Sequence, residues 1–275
     1  MVQRAKNTLN DLDAKSWVKA TKSWFVINPR SRSQEQMNHP AKFPEELVRH
    51  LVTYFTKEDG WVLDPFAGVG STLVACREAG RNAIGIELNA EFVDIGQNMI
   101  GTVEGEGYQT LLLGDSLNSR ALIARNFDGQ TPLFNYVITS PPYWNMLRKS
   151  RGGNDSTHKL REKEGLKQYY SDEENDLGNI HDYTVYIKSV SNIINKLKPL
   201  LAERAYLTII IQNMRDVDGL MKPIAWDLAS ELSRTFDLRQ EMIWCQDNKK
   251  LGCWGYPTTY VSNVHHHYCI NLQKR

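Results

Sequence analysis

The sequence predicts an α/β fold: a mostly parallel, seven-stranded sheet with the last strand reversed and helices on both faces. Three observations carry this. Strand-type runs alternate with runs of helical period over most of the 275 residues. One of the strands runs into a glycine turn that opens a helix. The final two strand candidates have no helix between them, so they must pair antiparallel.

The elements follow in order. Glu45–Thr56 puts Leu47, Val48, Leu51, Val52 and Phe55 on one helical face, with Pro44 just before it. Trp61–Leu63 reads as a short buried strand, and Ser71–Glu78 as a helix stopped at Gly80. Strand Ala83–Ile86, helix Ala90–Met99 and strand Gln109–Leu113 come next, then a short helix near Arg120–Arg125 and strand Tyr136–Thr139. After a gap the alternation resumes with helix Tyr183–Lys196, strand Tyr206–Ile211, helix Pro223–Thr235 and strand Arg239–Trp244. The last strand is His267–Leu272. Such alternation gives parallel strands covered on both faces.

Composition narrows the classes. Hydrophobic residues are 41% and charged residues 24% of the chain, with a formal net charge of +1. These are ordinary values for a globular protein and exclude collagen, coiled-coil and disordered classes. They also exclude a uniformly basic coat protein. The four cysteines (Cys76, Cys245, Cys253, Cys269) show no CxxC spacing, so reduced thiols are expected and neither a zinc ribbon nor a redox pair is suggested. The longest aliphatic run, Leu207–Ile211, is too short for a bilayer. The first residues lack the apolar stretch of a secretory signal, so the cytoplasm is the expected compartment. In the run His265-His266-His267 only the first and third residues share a strand face. It is read as structural, and no metal is expected.

Charge is segregated locally. Residues 1–33 hold seven basic residues against Asp11 and Asp13, a net charge of +5. Residues 145–170 hold Arg148, Lys149, Arg151, Lys159, Arg161, Lys163 and Lys167 against Asp155, Glu162 and Glu164, a net charge of +4. A solvated surface explains such clusters as well as a phosphate-binding face does.

Two motifs carry chemistry. The first is Asp64-Pro65-Phe66-Ala67-Gly68-Val69-Gly70-Ser71-Thr72, between a strand and a helix. Its glycines let the backbone turn sharply and leave room for a ligand. The third glycine of the dinucleotide fingerprint is missing, which counts against NAD. Glu87, in Glu87-Leu88, ends the next strand, where a carboxylate can accept both ribose hydroxyls of a nucleoside. Asp115-Ser116 ends a third strand, where a carboxylate can accept from an adenine amino group. Asp64 and Asp115 also suit plain turn caps. The second motif is Ser140-Pro141-Pro142-Tyr143, at the end of the fourth strand. Its prolines stiffen the turn, so the Ser140 hydroxyl and the Pro141 carbonyl can face one amino group. Tyr143 supplies a flat face for a base.

Together these residues resemble the amino-methylating DNA methyltransferases, which modify cytosine N4 or adenine N6. The resemblance runs from about Trp24 to the end and implies a Rossmann-like methyltransferase fold. It implies S-adenosylmethionine as cofactor, held by Asp64–Gly68, Gly70, Ser71, Thr72, Glu87, Leu88, Asp115 and Ser116. The segment His39-Pro40-Ala41-Lys42-Phe43-Pro44 resembles the family's His-Pro segment beside the methionine end, with its lysine one place early. This adds His39, Pro40, Lys42 and Phe43 to the cofactor set. Ser140–Tyr143 resembles the catalytic tetrapeptide. Leu251–Pro257 and His266–Ile270 resemble the Trp-Gly loop and closing hairpin.

The cofactor half precedes the catalytic half, so the chain looks circularly permuted relative to the commonest relatives. The expected organisation is one domain over residues 1–275. Residues 1–33 form a basic segment, 34–130 the cofactor half and 131–275 the catalytic half, with an insertion over 145–179. Arg148, Lys149, Arg151, Lys159 and Arg161 of the insertion, with Trp254 and Tyr256, are expected to contact DNA. In the family, serine at the first tetrapeptide position goes mostly with cytosine N4. Adenine N6 is the alternative, followed by an RNA or protein amide methyltransferase and by a non-catalytic binding protein. By analogy with the family, the resemblance implies a second copy of the chain and a cognate restriction enzyme as partners, with no membrane association.

Overall fold

The computed structural model describes residues 6–28, 43–144, 175–216, 219–249, 251, 253–254, 257–258 and 261–275. The main strands are β1 (Trp24–Val26), β2 (Trp61–Asp64), β3 (Asn82–Glu87), β4 (Gln109–Leu113), β5 (Phe134–Thr139), β6 (Leu201–Ile211), β9 (Phe236–Cys245) and β12 (His266–Lys274). Two small hairpins contribute β7 (Met214–Arg215) with β8 (Met221–Lys222), and β10 (Cys253–Trp254) with β11 (Val261–Ser262). The eight main strands form one sheet in the order β1-β9-β12-β6-β5-β2-β3-β4. Only β12 is reversed: it pairs antiparallel with both β6 and β9, while the other pairings are parallel.

Helices cover both faces, each for a legible reason. Helix α2 (Glu45–Phe55) starts at Pro44, carries Glu45 and Glu46 against the positive end of its dipole, and buries the apolar face read from the sequence. With α3 (Ser71–Glu78) and α4 (Ala90–Gly101) it covers one face, packing on Val62, Tyr136, Ile210 and Trp244. Helices α5 (Ser119–Asn126), α6 (Tyr183–Lys196) and α7 (Ile224–Leu232) cover the other, against Leu63, Val137, Leu207 and Ile270. The result is a Rossmann-like, mostly parallel sheet with one reversed strand.

Three expectations need correction. The sheet has eight strands, because Trp24–Val26 adds to β9 at the outer edge. This strand is only three residues long and lies in a charged segment, with Trp24 49% exposed, so it has no buried periodicity. Strand β6 begins at Leu201, five residues before Tyr206, across an irregularity where Arg204 adopts φ 61°. Helix α7 stops at Leu232 rather than Thr235.

The basic N-terminal segment is partly structural. Asp13 caps helix α1 (Ala14–Ala20). Asn10 donates to the Tyr54 carbonyl (2.6 Å), and Asp11 accepts from the Glu58 N–H (2.8 Å). Trp17 meets Tyr54 edge-on. No helix among the described residues is long and apolar enough to cross a membrane.

Candidate active site

In an open parallel sheet, ligands bind beyond the carboxyl ends of the strands. Here β5, β2, β3 and β4 are consecutive neighbours, so the four motif-bearing strand ends lie side by side. The turn after β2 reverses direction through Gly68 (φ 53°) and Gly70 (φ 80°). It folds tightly onto β3: a Cβ on Gly85 would stand 2.7 Å from that of Ala67. The Ala67 N–H donates to the Ile86 carbonyl (3.0 Å), fixing this approach.

Asp64 is buried and fully engaged. Its carboxylate accepts from the Phe66 N–H (3.0 Å), the Thr72 hydroxyl (2.5 Å) and the Thr139 hydroxyl (2.6 Å). One side chain therefore ties the glycine turn, the first turn of α3 and the end of β5 together. Burial raises its pKa against those three bonds. Ser116 is likewise occupied, its hydroxyl donating to the Pro65 carbonyl and joining β4 to the same turn. These two residues hold the frame of the site from within. Ser71 is buried, and its hydroxyl has no hydrogen-bond partner among the described residues. Leu88 is partly buried, and Phe43 lies edge-on to Trp244.

Glu87 and Asp115 are placed differently. Glu87 accepts from the Gly68 N–H (2.9 Å) and the Asn89 N–H (2.8 Å), one on each oxygen. Burial, opposed by these bonds, pushes its carboxyl up to about 7. Each carboxylate oxygen has a second lone pair, so the group can also receive a diol. Asp115 caps the turn Ser116–Asn118 through the Leu117 N–H (2.8 Å), which occupies one oxygen. Two acceptor carboxylates on adjacent strand ends, beside a turn narrowed by glycines, fit the ribose and adenine of a nucleoside.

At the end of β5, Tyr186 donates to the Pro142 carbonyl (2.8 Å), bracing the tetrapeptide from α6. Trp144 donates its indole N–H to the His181 carbonyl (3.1 Å). Tyr143 is only 7% exposed. Its hydroxyl lies 3.0 Å from Nδ1 of His267, and the neighbouring Ser140 side chain favours its ionised form. Burial raises its pKa. His267 belongs to the histidine run read as structural, and the fold brings it into contact with the tetrapeptide. The two residues are 124 positions apart, and no local spacing marks such a pair. No group of three or more His, Cys, Asp or Glu among the described residues could hold a metal.

His39, Pro40, Lys42, Arg148, Lys149, Arg151, Lys159, Arg161 and Tyr256 lie outside the described residues, as do most of the 145–179 insertion and the Trp254 side chain.

Fold and strand ends thus define an α/β protein of the open parallel-sheet class, with its polar strand ends gathered at one edge. Residues 3–98 match the family model N6_N4_Mtase, described as DNA methylase. Type II methyltransferase M.Cfr9I of Citrobacter freundii is 47% identical over 62 residues, 22% of this chain and 21% of that protein. M.HindIII of Haemophilus influenzae is 40% identical over 76 residues, 28% of this chain and 25% of that protein. M.MthZI of Methanothermobacter thermautotrophicus is 36% identical over 107 residues, 36% of this chain and 28% of that protein. The chain spans about a quarter of the length of these relatives. These matches bear out the resemblance to the amino-methylating DNA methyltransferase family. Among solved structures, a magnesium protoporphyrin IX methyltransferase from Synechocystis with bound SAM aligns over 95% of this chain and 90% of that one. That alignment has a TM-score of 0.44 and 12% identity.

Proposed function

We propose that the protein transfers a methyl group from S-adenosylmethionine to the exocyclic amine of a base in double-stranded DNA, with cytosine N4 as the target. The observation that carries this reading is the Thr139–Asp64 bond. It locks the Ser140–Tyr143 strand end against the glycine turn, so a nucleoside on Glu87 and a base on Tyr143 would meet at one edge. The whole chain acts as one domain in this reading.

The cofactor supplies an electrophilic methyl on its sulfonium. Glu87 receives the ribose diol and Asp115 the adenine amine. A base inside a duplex is out of reach, so the target flips out. Tyr143 stacks on it. Tyr186 occupies the Pro142 carbonyl, which leaves the Pro141 carbonyl and the Ser140 hydroxyl to accept from the target amine. Those two bonds would turn the nitrogen lone pair toward the methyl, so that the nitrogen–carbon bond forms as the sulfur–methyl bond breaks, the neutral thioether leaves and the amine proton passes to solvent. Positioning then supplies most of the acceleration. His39, Pro40, Lys42 and Phe43 flank the methionine end, and Trp254 and Tyr256 the margin of the base pocket.

Tritiated methyl transfer to duplex DNA, RNA and protein tests the substrate class, and mass spectrometry of digested DNA assigns the base. Label in N6-methyladenine would replace the cytosine reading. Label in RNA or protein alone would overturn the DNA reading, and cofactor binding without transfer would leave a binding protein. Association with a second copy or with a restriction enzyme is part of the same proposal, checked by sedimentation.

Two expected outcomes follow from this reading. Arg148, Lys149 and Arg151 contact phosphates in it, so DNA affinity falls as salt rises. Neutralising all three should flatten the log–log slope by about 2.7, or roughly 0.9 per contact. An unchanged slope would move the contacts to another surface. In addition, amine methylation needs no covalent link between enzyme and base. Cys76 and Cys269 are free and buried, and burial raises both thiols, so neither is a ready nucleophile. Replacing each of the four cysteines singly by Ala should leave turnover within a few-fold of wild type. A covalently trapped base would overturn the amine mechanism.

A further inference from the structure

We propose that His267 is a positioning residue: it fixes the Tyr143 ring and, through Tyr143, turns the Ser140 hydroxyl into an acceptor for the target amine. The inference rests on reading Ser140–Tyr143 as the turn that holds the base.

Backbone topology explains how a histidine from the last strand reaches this turn. Strand β12 alone is reversed, so its first residues lie at the edge where β5, β6 and β9 end. His267 pairs in register with Trp244 of β9. Its ring stacks on that indole, with centroids 4.5 Å apart and planes at 25°. Trp244 is held in turn by a bond from its indole N–H to the Ile27 carbonyl (2.8 Å). The imidazole is 8% exposed, so its plane is set by stacking and its edge by the Tyr143 hydroxyl.

The polarity of the chain Ser140–Tyr143–His267 follows from the donor inventory. A serine or tyrosine hydroxyl has one proton and two lone pairs. Burial, with Lys249 and His266 nearby, lowers the His267 pKa to about 3, so the ring is neutral and offers one acceptor nitrogen. With Nδ1 as that acceptor, Tyr143 donates to His267. Ser140 then donates to the Tyr143 oxygen. The Ser140 proton points away from the substrate, and its lone pairs face the amine. Without an acceptor at 267, the Tyr143 proton turns back to Ser140. The serine proton is then displaced toward the amine, where two donors would meet.

A space-filling histidine predicts something else: phenylalanine would replace it well and asparagine badly. The two roles separate by comparing His267→Phe, which keeps a ring to stack on Trp244, with His267→Asn, which keeps a hydrogen-bonding group near Nδ1. The expected result is a three- to tenfold fall in single-turnover methylation of duplex DNA for His267→Phe, about the worth of one hydrogen bond. Cofactor affinity and melting temperature should be unchanged, with recovery of the rate in His267→Asn. Tyr143→Phe breaks the same bond from the other side, so the double variant with His267→Phe should lose no more than either single change.

A second readout needs no turnover. With 3-fluorotyrosine placed at position 143, the fluorine resonance should shift or broaden in His267→Phe and return in His267→Asn. Wild-type rates and an unmoved resonance in His267→Phe would overturn the proposal, as would losses that add in the double variant. Wild-type protein inactive on DNA would sink the base-holding reading instead, and the fluorine resonance would still decide whether His267 fixes Tyr143.

Discussion

Glu87→Gln should weaken S-adenosylmethionine binding about tenfold to a hundredfold and remove its dependence on pH near neutrality. The wild-type carboxylate accepts one backbone N–H on each oxygen, from Gly68 and Asn89. A glutamine has one acceptor oxygen, so its amide nitrogen would face one of those N–H groups. The turn would lose a bond, and the ribose diol would lose part of its acceptor. Hydrogen bonds to a charged group are worth about 1.5–3 kcal/mol each, and about 1.4 kcal/mol is a decade in affinity. Burial is the first cause that pushes this carboxyl up to about 7. Diol hydroxyls donate to the ionised form, so they favour it. Affinity should therefore rise with pH through about 7 and level off above, with a proton released on binding below that point.

The same shift acts on stability in the opposite sense. The folded pKa lies above the ordinary carboxyl value of 4.5, so the contribution is fully present below that value and is lost as pH rises to about 7. Calorimetry in two buffers of different ionisation enthalpy measures both affinity and proton release. A folded Glu87→Gln protein with wild-type affinity and an unchanged pH profile would remove Glu87 from the cofactor site.

Much of this site is legible in the sequence, because a strand end followed by a glycine turn is a local pattern. Gly68 and Gly70 do take positive φ, and Glu87 does close on that turn. Asp64 and Ser116 stand where the motif puts them, yet their polar atoms face inward to Thr72, Thr139 and Pro65. Local spacing cannot separate a ligand-binding carboxylate from one that staples two strand ends. The alternation of strands and helices is equally local, so all seven expected strands are present. Strand β1 is missed because three half-exposed residues carry no periodicity. The start of β6 is missed because Glu203 and Arg204 interrupt its apolar run. His267 is the hardest case. Its role depends on a reversed strand, a register with Trp244 and a partner on another strand's end, and each of these is set by tertiary pairing.

Tyr143→Leu and Tyr143→Ala should each reduce methylation by about one to two decades while leaving cofactor affinity within a few-fold. The carboxylates proposed to hold the nucleoside are Glu87, at the end of β3, and Asp115, just after β4, whereas the tetrapeptide follows β5. Stacking of a base on an aromatic ring is worth about 1–3 kcal/mol, and each 1.36 kcal/mol or so is a decade in rate. Two variants are needed because Tyr143 is buried. Truncation to alanine also leaves a cavity, at a cost of about 3–5 kcal/mol for a large aromatic side chain, and a rate measured near its melting temperature would mix unfolding with chemistry. Leucine returns much of the volume without a flat π face. If stacking is the cause, the leucine variant melts close to wild type and is as slow as alanine, and Tyr143→Phe is much faster than both. If packing is the cause, rate follows melting temperature across the three. Fluorescence of 2-aminopurine at the target position separates the steps further. The base should still leave the duplex in Tyr143→Leu, but without the quenching that a stacked ring imposes. A folded, cofactor-binding Tyr143→Leu enzyme with wild-type turnover would mean that another surface holds the base.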